Sequence, residues 1–350
     1  MALVKSKSAD GLLLEKYSRQ VLFAGVGKAG QERLLGSRAV VVGCGAIGAA
    51  AANLLVRAGV GGVRILDRDF VEPSNLQRQT LFDEADARDA LPKAIAAERK
   101  LRSINSGVWV EGIVTDLNPR NAQELLADFD IILDGTDNFE TRFLINDVAV
   151  KSKTPWIYAA AVASYGLTMT IRPGRTPCLA CLVAADRGPQ GLEDTCDTIG
   201  VLAPIVNLIA SLEVAEAMKL LAGREDALHG RLVSCDIWKG HFQTLSLARN
   251  PSCSVCARYE FAYLEGDAQP HITLCGRNSV QIHERRRTLD LSVLQNRLAS
   301  TVDEVLHNEF LLRFRISPYE MTVFADGRAI LKGTKDPAVA RSLYARYIGA

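Results

Sequence analysis

Short runs of β-branched residues alternate with Ala- and Leu-rich stretches along the first half of the chain. Ala39–Val42 is followed by a helix-favouring run to Arg57, then by a second β-branched run that ends at Asp67. Val108–Val114, Asp130–Asp134 and Trp156–Ala161 read as further strands. Glu15–Phe23, Lys28–Leu35, Leu91–Ile104, Asn121–Phe129, Glu140–Lys151 and Ala203–Ala222 read as helices, with Pro92 expected in a first turn and Gly223 as a stop. Gly166–Ile171 is expected to return as a hairpin at the far edge of the sheet, and Arg231–Trp238 and His241–Ala248 read as two later strands. This order predicts an α/β fold: a Rossmann-like mixed, mainly parallel sheet with flanking helices. Ala39–Val56 is apolar enough to raise a membrane span, but three glycines, Asn53 and the change from β-branched to Ala/Leu composition argue for a strand and a helix.

Beyond Cys256 the pattern changes. Ala257–Pro270 reads as a linker carrying apolar anchors. Ile272–Ile282 is strand-like, Leu289–Ala299 helical, Glu309–Ile316 and Tyr319–Leu331 alternate around an Asp326-Gly327 turn, and Pro337–Ile348 closes as a helix. The expected organisation is a first domain over 1–257, a linker over 258–270 and a small α+β domain over 271–350, read as a docking module for a partner.

The totals fit this picture. A chain of 350 residues accommodates two domains, and a net charge of +1 carries no basic excess that would call for nucleic acid. The first ten residues lack the apolar core of a secretion signal, so the cytoplasm is the expected compartment and no membrane partner is expected. The eight cysteines then point to metal or redox chemistry before disulfides.

Candidate chemistry collects at strand ends. Gly43, Gly45 and Gly48 form G-x-G-x-x-G between the first strand and its helix, and Asp67 ends the next strand nineteen residues past Gly48. Such glycines let a backbone approach phosphates, a helix N-terminus favours anions, and the acid can accept from ribose hydroxyls. Phe70–Gln79 leaves that strand as a polar loop in which Asn75, Gln77, Arg78 and Gln79 offer donors, Arg78 as a fork suited to phosphate; an ordinary polar surface loop has the same composition. Lys93 at a helix start either points at a phosphate or is solvated. Asp134 and Asp137 lie at another strand's carboxyl end, where a carboxylate beside phosphates suits Mg²⁺; the other reading is that Asp137 or Asn138 caps the following helix.

Cys178-x-x-Cys181 and Cys253-x-x-Cys256 give four thiolates, enough for a closed zinc site that staples two distant segments, and neither pair opens a thioredoxin-like helix. Cys44, Cys235 and Cys275 read as core residues. Cys196 stands alone in a polar, glycine-rich stretch, as a nucleophile, a sulfur carrier or an incidental thiol.

Together these residues resemble the ubiquitin-activating-enzyme-like (E1-like) adenylyltransferases of sulfur-carrier pathways, the activators of the molybdopterin-synthase and thiamine routes. The resemblance runs from Tyr17 to Cys256 through Tyr17-Ser-Arg-Gln20, the glycine loop, Asp67-Arg-Asp69, Ser74–Gln79, Pro92-Lys93, Gly135–Asn138, both cysteine pairs and Cys196–Pro204. It implies that the chain binds Mg-ATP and the C-terminal Gly-Gly of a small ubiquitin-fold sulfur carrier. It further implies that the carrier's carboxylate becomes an acyl-adenylate with release of pyrophosphate, ahead of sulfur transfer to a thiocarboxylate. By position, Gly43, Gly45, Gly48, Asp67 and Asp69 would hold the nucleotide, Asn75, Arg78 and Lys93 its phosphates, and Asp137 the magnesium. Arg19 would be supplied to the partner site of a homodimer, Cys196 would handle the acyl or sulfur intermediate, and the four knuckle cysteines would hold structural zinc. Some relatives with an extension carry a rhodanese domain; Cys275 does not fit its persulfide loop, so the sulfur donor stays open. Three competing readings are separable: adenylation of a carboxylate on tRNA or a small molecule, an NAD-type oxidoreductase, and a non-catalytic scaffold. Carrier-dependent pyrophosphate release separates the carrier-adenylating reading from the oxidoreductase, and normal biological function of an Asp137→Ala chain without ATP turnover would favour the scaffold.

Overall fold

The computed structural model describes residues 15–183, 199–266, 272–275, 279–282 and 288–349. The chain divides into two compact units, Met1–Gly266 and Asp267–Ala350.

The first unit opens with helices α1 (Ser18–Leu22) and α2 (Gly27–Gly36) and continues through β1 (Arg38–Val42), α3 (Ala46–Ala58), β2 (Gly62–Asp67), α4 (Glu84–Arg88), α5 (Lys93–Ile104), β3 (Trp109–Val114), α6 (Ala122–Leu126), β4 (Ile131–Asp134), α7 (Phe139–Ser152), β5 (Trp156–Val162), β6 (Tyr165–Ile171), α8 (Leu179–Leu182), α9 (Ala203–Leu221), β7 (Leu232–Asp236), β8 (His241–Leu245) and α10 (Ala262–Glu265). Its eight strands lie in the order β3-β2-β1-β4-β5-β6-β7-β8. The pairs from β3 to β5 are parallel, and those from β5 to β8 antiparallel. The β-branched runs serve both faces of this sheet. Ala39 and Val41 of β1 belong to one core, packed with α3, α5 and α9. Val40 and Val42 belong to the other, packed with α6, α7 and the knuckle segments. A strand buried on both sides needs continuous apolar sequence, which is why these runs do not alternate.

The boundaries follow the sequence reading closely, with four departures. The β5–β6 hairpin is not the edge of the sheet; β7 and β8 extend it, and β8 is the edge. Pro92 is the cap residue before α5 and not part of its first turn. The stretch 272–282 is two antiparallel strands, with Ser279 opposite Cys275. Asp303–His307 is a strand that its polar composition conceals. The apolar anchors of the stretch after Cys256 are Phe261 and Leu264, both buried. Asp147 of α7 fastens them by accepting from the backbone N–H groups of Tyr263 at 2.9 Å and Leu264 at 3.2 Å.

The second unit contains β9 (Ile272–Cys275), β10 (Ser279–Ile282), α11 (Leu291–Leu298), β11 (Asp303–His307), β12 (Leu311–Ile316), β13 (Tyr319–Phe324), β14 (Ala329–Lys332) and α12 (Pro337–Tyr347). Its antiparallel sheet runs β11-β12-β13-β14-β10-β9. Leu312, Phe314, Met321, Val323 and Leu331 pack on one face against Leu294, Leu298 and Tyr344 of the two helices. This is a small α+β unit.

Candidate functional site

The parallel strands β2, β1 and β4 end side by side, and the candidate residues gather at their carboxyl ends. Gly43 leaves β1 with φ +84° and donates its N–H to Leu66 at 2.7 Å. The chain has no room for side chains here. A Cβ on Gly48 would stand 1.9 Å from the Gly43 carbonyl oxygen, and one on Gly135, after β4, would stand 2.2 Å from the same atom. Gly43, Gly48 and Gly135 are therefore demanded by backbone lying on backbone. Gly45 is different: its Cβ would meet nothing closer than 3.7 Å. It precedes α3, whose N-terminus no side chain caps, so the first-turn N–H groups remain for an anion.

Asp67 is buried and locks this loop. Its Oδ2 accepts from the Cys44 N–H at 2.6 Å and its Oδ1 from the Asp69 N–H at 2.6 Å. Burial raises its pKa, against the pull of Lys93. Lys93 is buried rather than solvated, with Nζ 3.3 Å from Asp69 Oδ2. Burial alone would lower its pKa, but the carboxylates of Asp69, Asp67 and Asp137 outweigh it and hold the ammonium charged. Asp137 is exposed, on the turn after β4. The helix cap is Asn138, whose Oδ1 accepts from the Thr141 N–H at 2.8 Å, so Asp137 is not needed as the cap. Asp134, by contrast, has its carboxylate engaged inside the protein by the Thr136 N–H and Oγ1 and by Arg142, and is not placed as a metal ligand.

In the loop after β2, Asn75 is buried and accepts from the Glu72 N–H at 3.1 Å, closing a short 3₁₀ turn. Its first duty is to shape the loop. Arg78 is partly exposed and donates to the Ser74 carbonyl at 2.9 Å. Arg19 is exposed on α1, while its neighbours anchor that helix: Tyr17 Oη accepts from Asn105, and Gln20 bonds Gln31 and the Ala58 carbonyl. Cys196 lies outside the described residues.

Sequence reasoning missed two participants. Arg142 of α7 and Glu213 of α9 are both buried at the end of β4, and Glu213 accepts from the Asp134 N–H at 2.9 Å. Burial, reinforced by Asp134, pushes the Glu213 carboxyl well above the usual carboxylate range. Only Arg142, four residues past Asn138 on α7, carried a sequence hint.

Away from this edge, Cys178, Cys181, Cys253 and Cys256 present sulfurs that all lie within 4.8 Å of one another. The separations of 3.9 Å (Cys178–Cys181), 3.7 Å (Cys178–Cys253) and 3.4 Å (Cys181–Cys256) bracket the spacing of about 3.8 Å that a tetrahedral ZnS₄ centre imposes. Burial and the neighbouring thiols raise the Cys178 pKa, a cost that a bound cation would remove. The donor set fits a metal ion. Cys44 and Cys235 are buried core residues.

A family model described as the ThiF family matches residues 17–255. The chain belongs to the ThiF family. Among curated ThiF-like relatives, the sulfur carrier protein ThiS adenylyltransferase of Bacillus subtilis is 47% identical over 338 residues, covering 95% of this chain and 99% of that one. The SAMP-activating enzyme E1 of Haloferax volcanii is 39% identical over 71% of this chain and 91% of its own. The molybdopterin-synthase adenylyltransferase of Escherichia coli is 37% identical over 69% of this chain and 96% of its own. Among solved structures, E. coli MccB with ATP superposes with a TM-score of 0.60 at 25% identity, over 69% of this chain and 74% of that chain. These are relatives of the ThiF unit; the match to the B. subtilis protein also takes in the second unit. No described helix is long and apolar enough to cross a membrane.

Proposed function

We propose that this chain uses ATP to adenylate the C-terminal carboxylate of a small ubiquitin-fold sulfur carrier, releasing pyrophosphate and preparing the carrier for conversion to a thiocarboxylate. The observation that carries this reading is the 47% identity with a ThiS adenylyltransferase along 95% of the chain. It is supported by the convergence of an uncapped helix N-terminus, a buried lysine and an exposed aspartate at one sheet edge.

In this reading Gly43, Gly45 and Gly48 and the start of α3 face the phosphates, and Asp67, with Asp69, faces the ribose side. Arg78 and Lys93 neutralise the triphosphate in the loop that Asn75 shapes. Lys93 is charged before any ligand arrives, so it can exchange Asp69 for a phosphate oxygen without taking up a proton. Asp137 would hold Mg²⁺, which when bound neutralises the leaving pyrophosphate. The reaction then asks mainly for in-line placement of the carrier carboxylate on the α-phosphate. The four clustered cysteines hold structural zinc. Arg19 completes the site of a second copy in a homodimer, and Cys196 handles the sulfur or acyl intermediate. The protein divides functionally into an adenylation domain over 1–257, a linker over 258–270 and a partner-docking domain over 271–350. Trp238, 80% exposed, and Phe242, 63% exposed, adjoin the carboxyl end of β7, beside the same sheet edge, and offer apolar surface to a protein substrate.

Carrier-dependent ATP–pyrophosphate exchange tests the proposal. Each small Gly-Gly-ending protein of the host is mixed with the enzyme, Mg-ATP and labelled pyrophosphate, beside Asp137→Ala. Exchange with one carrier, lost in the variant, is the expected result; no exchange with any carrier rejects it. A second reading is adenylation of a carboxylate on a small molecule or peptide; the chain also superposes on E. coli MccB solved with MccA, at a TM-score of 0.61, and exchange driven by a small carboxylate without any carrier would reveal it.

A further inference from the structure

The β4–β5 ladder stops early. Ile132 pairs with Trp156 and Leu133 with Ile157, and no backbone pair follows. Beyond that point the two strands are joined by side chains. The Asp134 N–H, which a continuing ladder would use, donates instead to Glu213 Oε1 at 2.9 Å. Asp134 Oδ2 accepts from Arg142 Nε at 2.9 Å and from the Ala159 N–H at 3.4 Å. Arg142 Nη2 donates to the carbonyls of Thr136 at 2.6 Å and Ala159 at 3.0 Å. The guanidinium also stands 5.4 Å from the Phe139 ring centre and 5.3 Å from that of Tyr158.

On its other side, β4 is held to the glycine loop. The Gly135 N–H donates to the Val42 carbonyl at 2.8 Å, and the Gly135 backbone fills the space a Cβ on Gly43 would need. The turn Gly135–Asp137 is thus gripped between two fixed bodies. A buried arginine–carboxylate group is a poor source of stability, because desolvation offsets its attraction. What it supplies is direction: the Arg142 Nε and Nη2 donors end on Asp134, Thr136 and Ala159 at the opened strand end.

Resting on the nucleotide reading above, we propose that Arg142, backed by Asp134 and Glu213, is a positioning residue that sets Asp137 against the glycine loop so that carboxylate and phosphates meet one metal ion. Glu213 serves in this device as the acceptor for the Asp134 N–H.

The test uses the full chain, with a non-hydrolysable ATP analogue titrated calorimetrically with and without Mg²⁺, beside pyrophosphate exchange and thermal unfolding. Arg142→Lys keeps a cation at Asp134 but cannot reach both carbonyls. It should bind metal-free analogue within about twofold of wild type, lose the gain in affinity that Mg²⁺ confers, and lose exchange by about 10–100-fold. Glu213→Gln keeps the acceptor and should match wild type in all three measurements, whereas Glu213→Leu should follow Arg142→Lys. Should Arg142→Lys fail to fold, the Glu213 pair decides. Retention of the full Mg²⁺ effect in Arg142→Lys or Glu213→Leu, or equal damage by Glu213→Gln and Glu213→Leu, overturns the positioning role alone. A wild-type chain that binds no nucleotide overturns the parent reading with it.

Discussion

The glycine-loop edge and the cysteine cluster both bring together segments far apart in sequence, by opposite means. At the edge, β1, β2 and β4 are already neighbours in a buried parallel sheet, so the loops that leave them are adjacent before any ligand binds. Backbone lies on backbone at Gly43, Gly48 and Gly135, and Lys93 stands among the carboxylates of Asp67, Asp69 and Asp137. The cysteines lie outside the strands, in the segment around α8 and in the turns after Asn250. The α8 segment has a hydrogen bond from the Leu179 N–H to Asn146, and the later one a contact from Arg249 to the Cys256 carbonyl. The sheet supplies geometry to the first site; at the second, loop segments packed on the other core bring the sulfurs together.

That contrast predicts a double dissociation. On the proposal of structural zinc, Cys253→Ser, or prolonged chelation, should lower the unfolding midpoint by about 10 °C or more, because the binding energy of such a metal is folding energy. Asp137→Ala should leave the midpoint within about 2 °C while exchange falls by about 100-fold or more. Scanning calorimetry and exchange on both variants check it; a cluster variant with an unchanged midpoint would erase the distinction.

The glycines sharpen the comparison within the edge itself. Gly48→Ala places a Cβ 1.9 Å from a carbonyl oxygen and should cost about 3 kcal/mol or more. Gly45→Ala has room and should change stability by less than about 1 kcal/mol while weakening nucleotide affinity about tenfold. Urea unfolding with nucleotide titration reads both; equal destabilisation would show that Gly45 is structural too.

The smallest effect concerns Asp147, which fastens the segment just after the second cysteine pair. Burial holds its carboxyl up at about 6 despite the two backbone N–H groups it accepts from. Its unfolded value is about 3.9, so the folded form binds the proton more tightly. Its contribution to stability is full below about pH 4 and is lost as pH rises through about 6. Asp147→Asn keeps one acceptor and should flatten the unfolding midpoint between those values; an unchanged slope would assign that pH dependence to other groups.

Much of this was legible in one dimension. The β-branched runs, the G-x-G-x-x-G spacing and the two C-x-x-C pairs are local signals, each tied to a short segment whose chemistry does not depend on its neighbours. Lys93 was ambiguous because nothing in sequence tells whether a helix-start lysine faces solvent or three carboxylates. Asp134 and Asp137 looked equivalent as carboxylates at one strand end, yet one is consumed inside and the other exposed. The strand Asp303–His307 escaped because an edge strand with polar sequence resembles a loop; β8 reads as a strand, but its edge position depends on which strand it pairs with.

By itself, then, the sequence determined the fold class, the family, the glycine loop and the four sulfur donors, since periodicity and fixed spacing are written into contiguous residues. Tertiary structure alone decided that Lys93 is charged in a buried cage, that Gly43, Gly48 and Gly135 share one close contact, and that Arg142 and Glu213 replace the end of a strand ladder. Those outcomes depend on which strands lie side by side and how much water they exclude, and no local stretch of sequence encodes either.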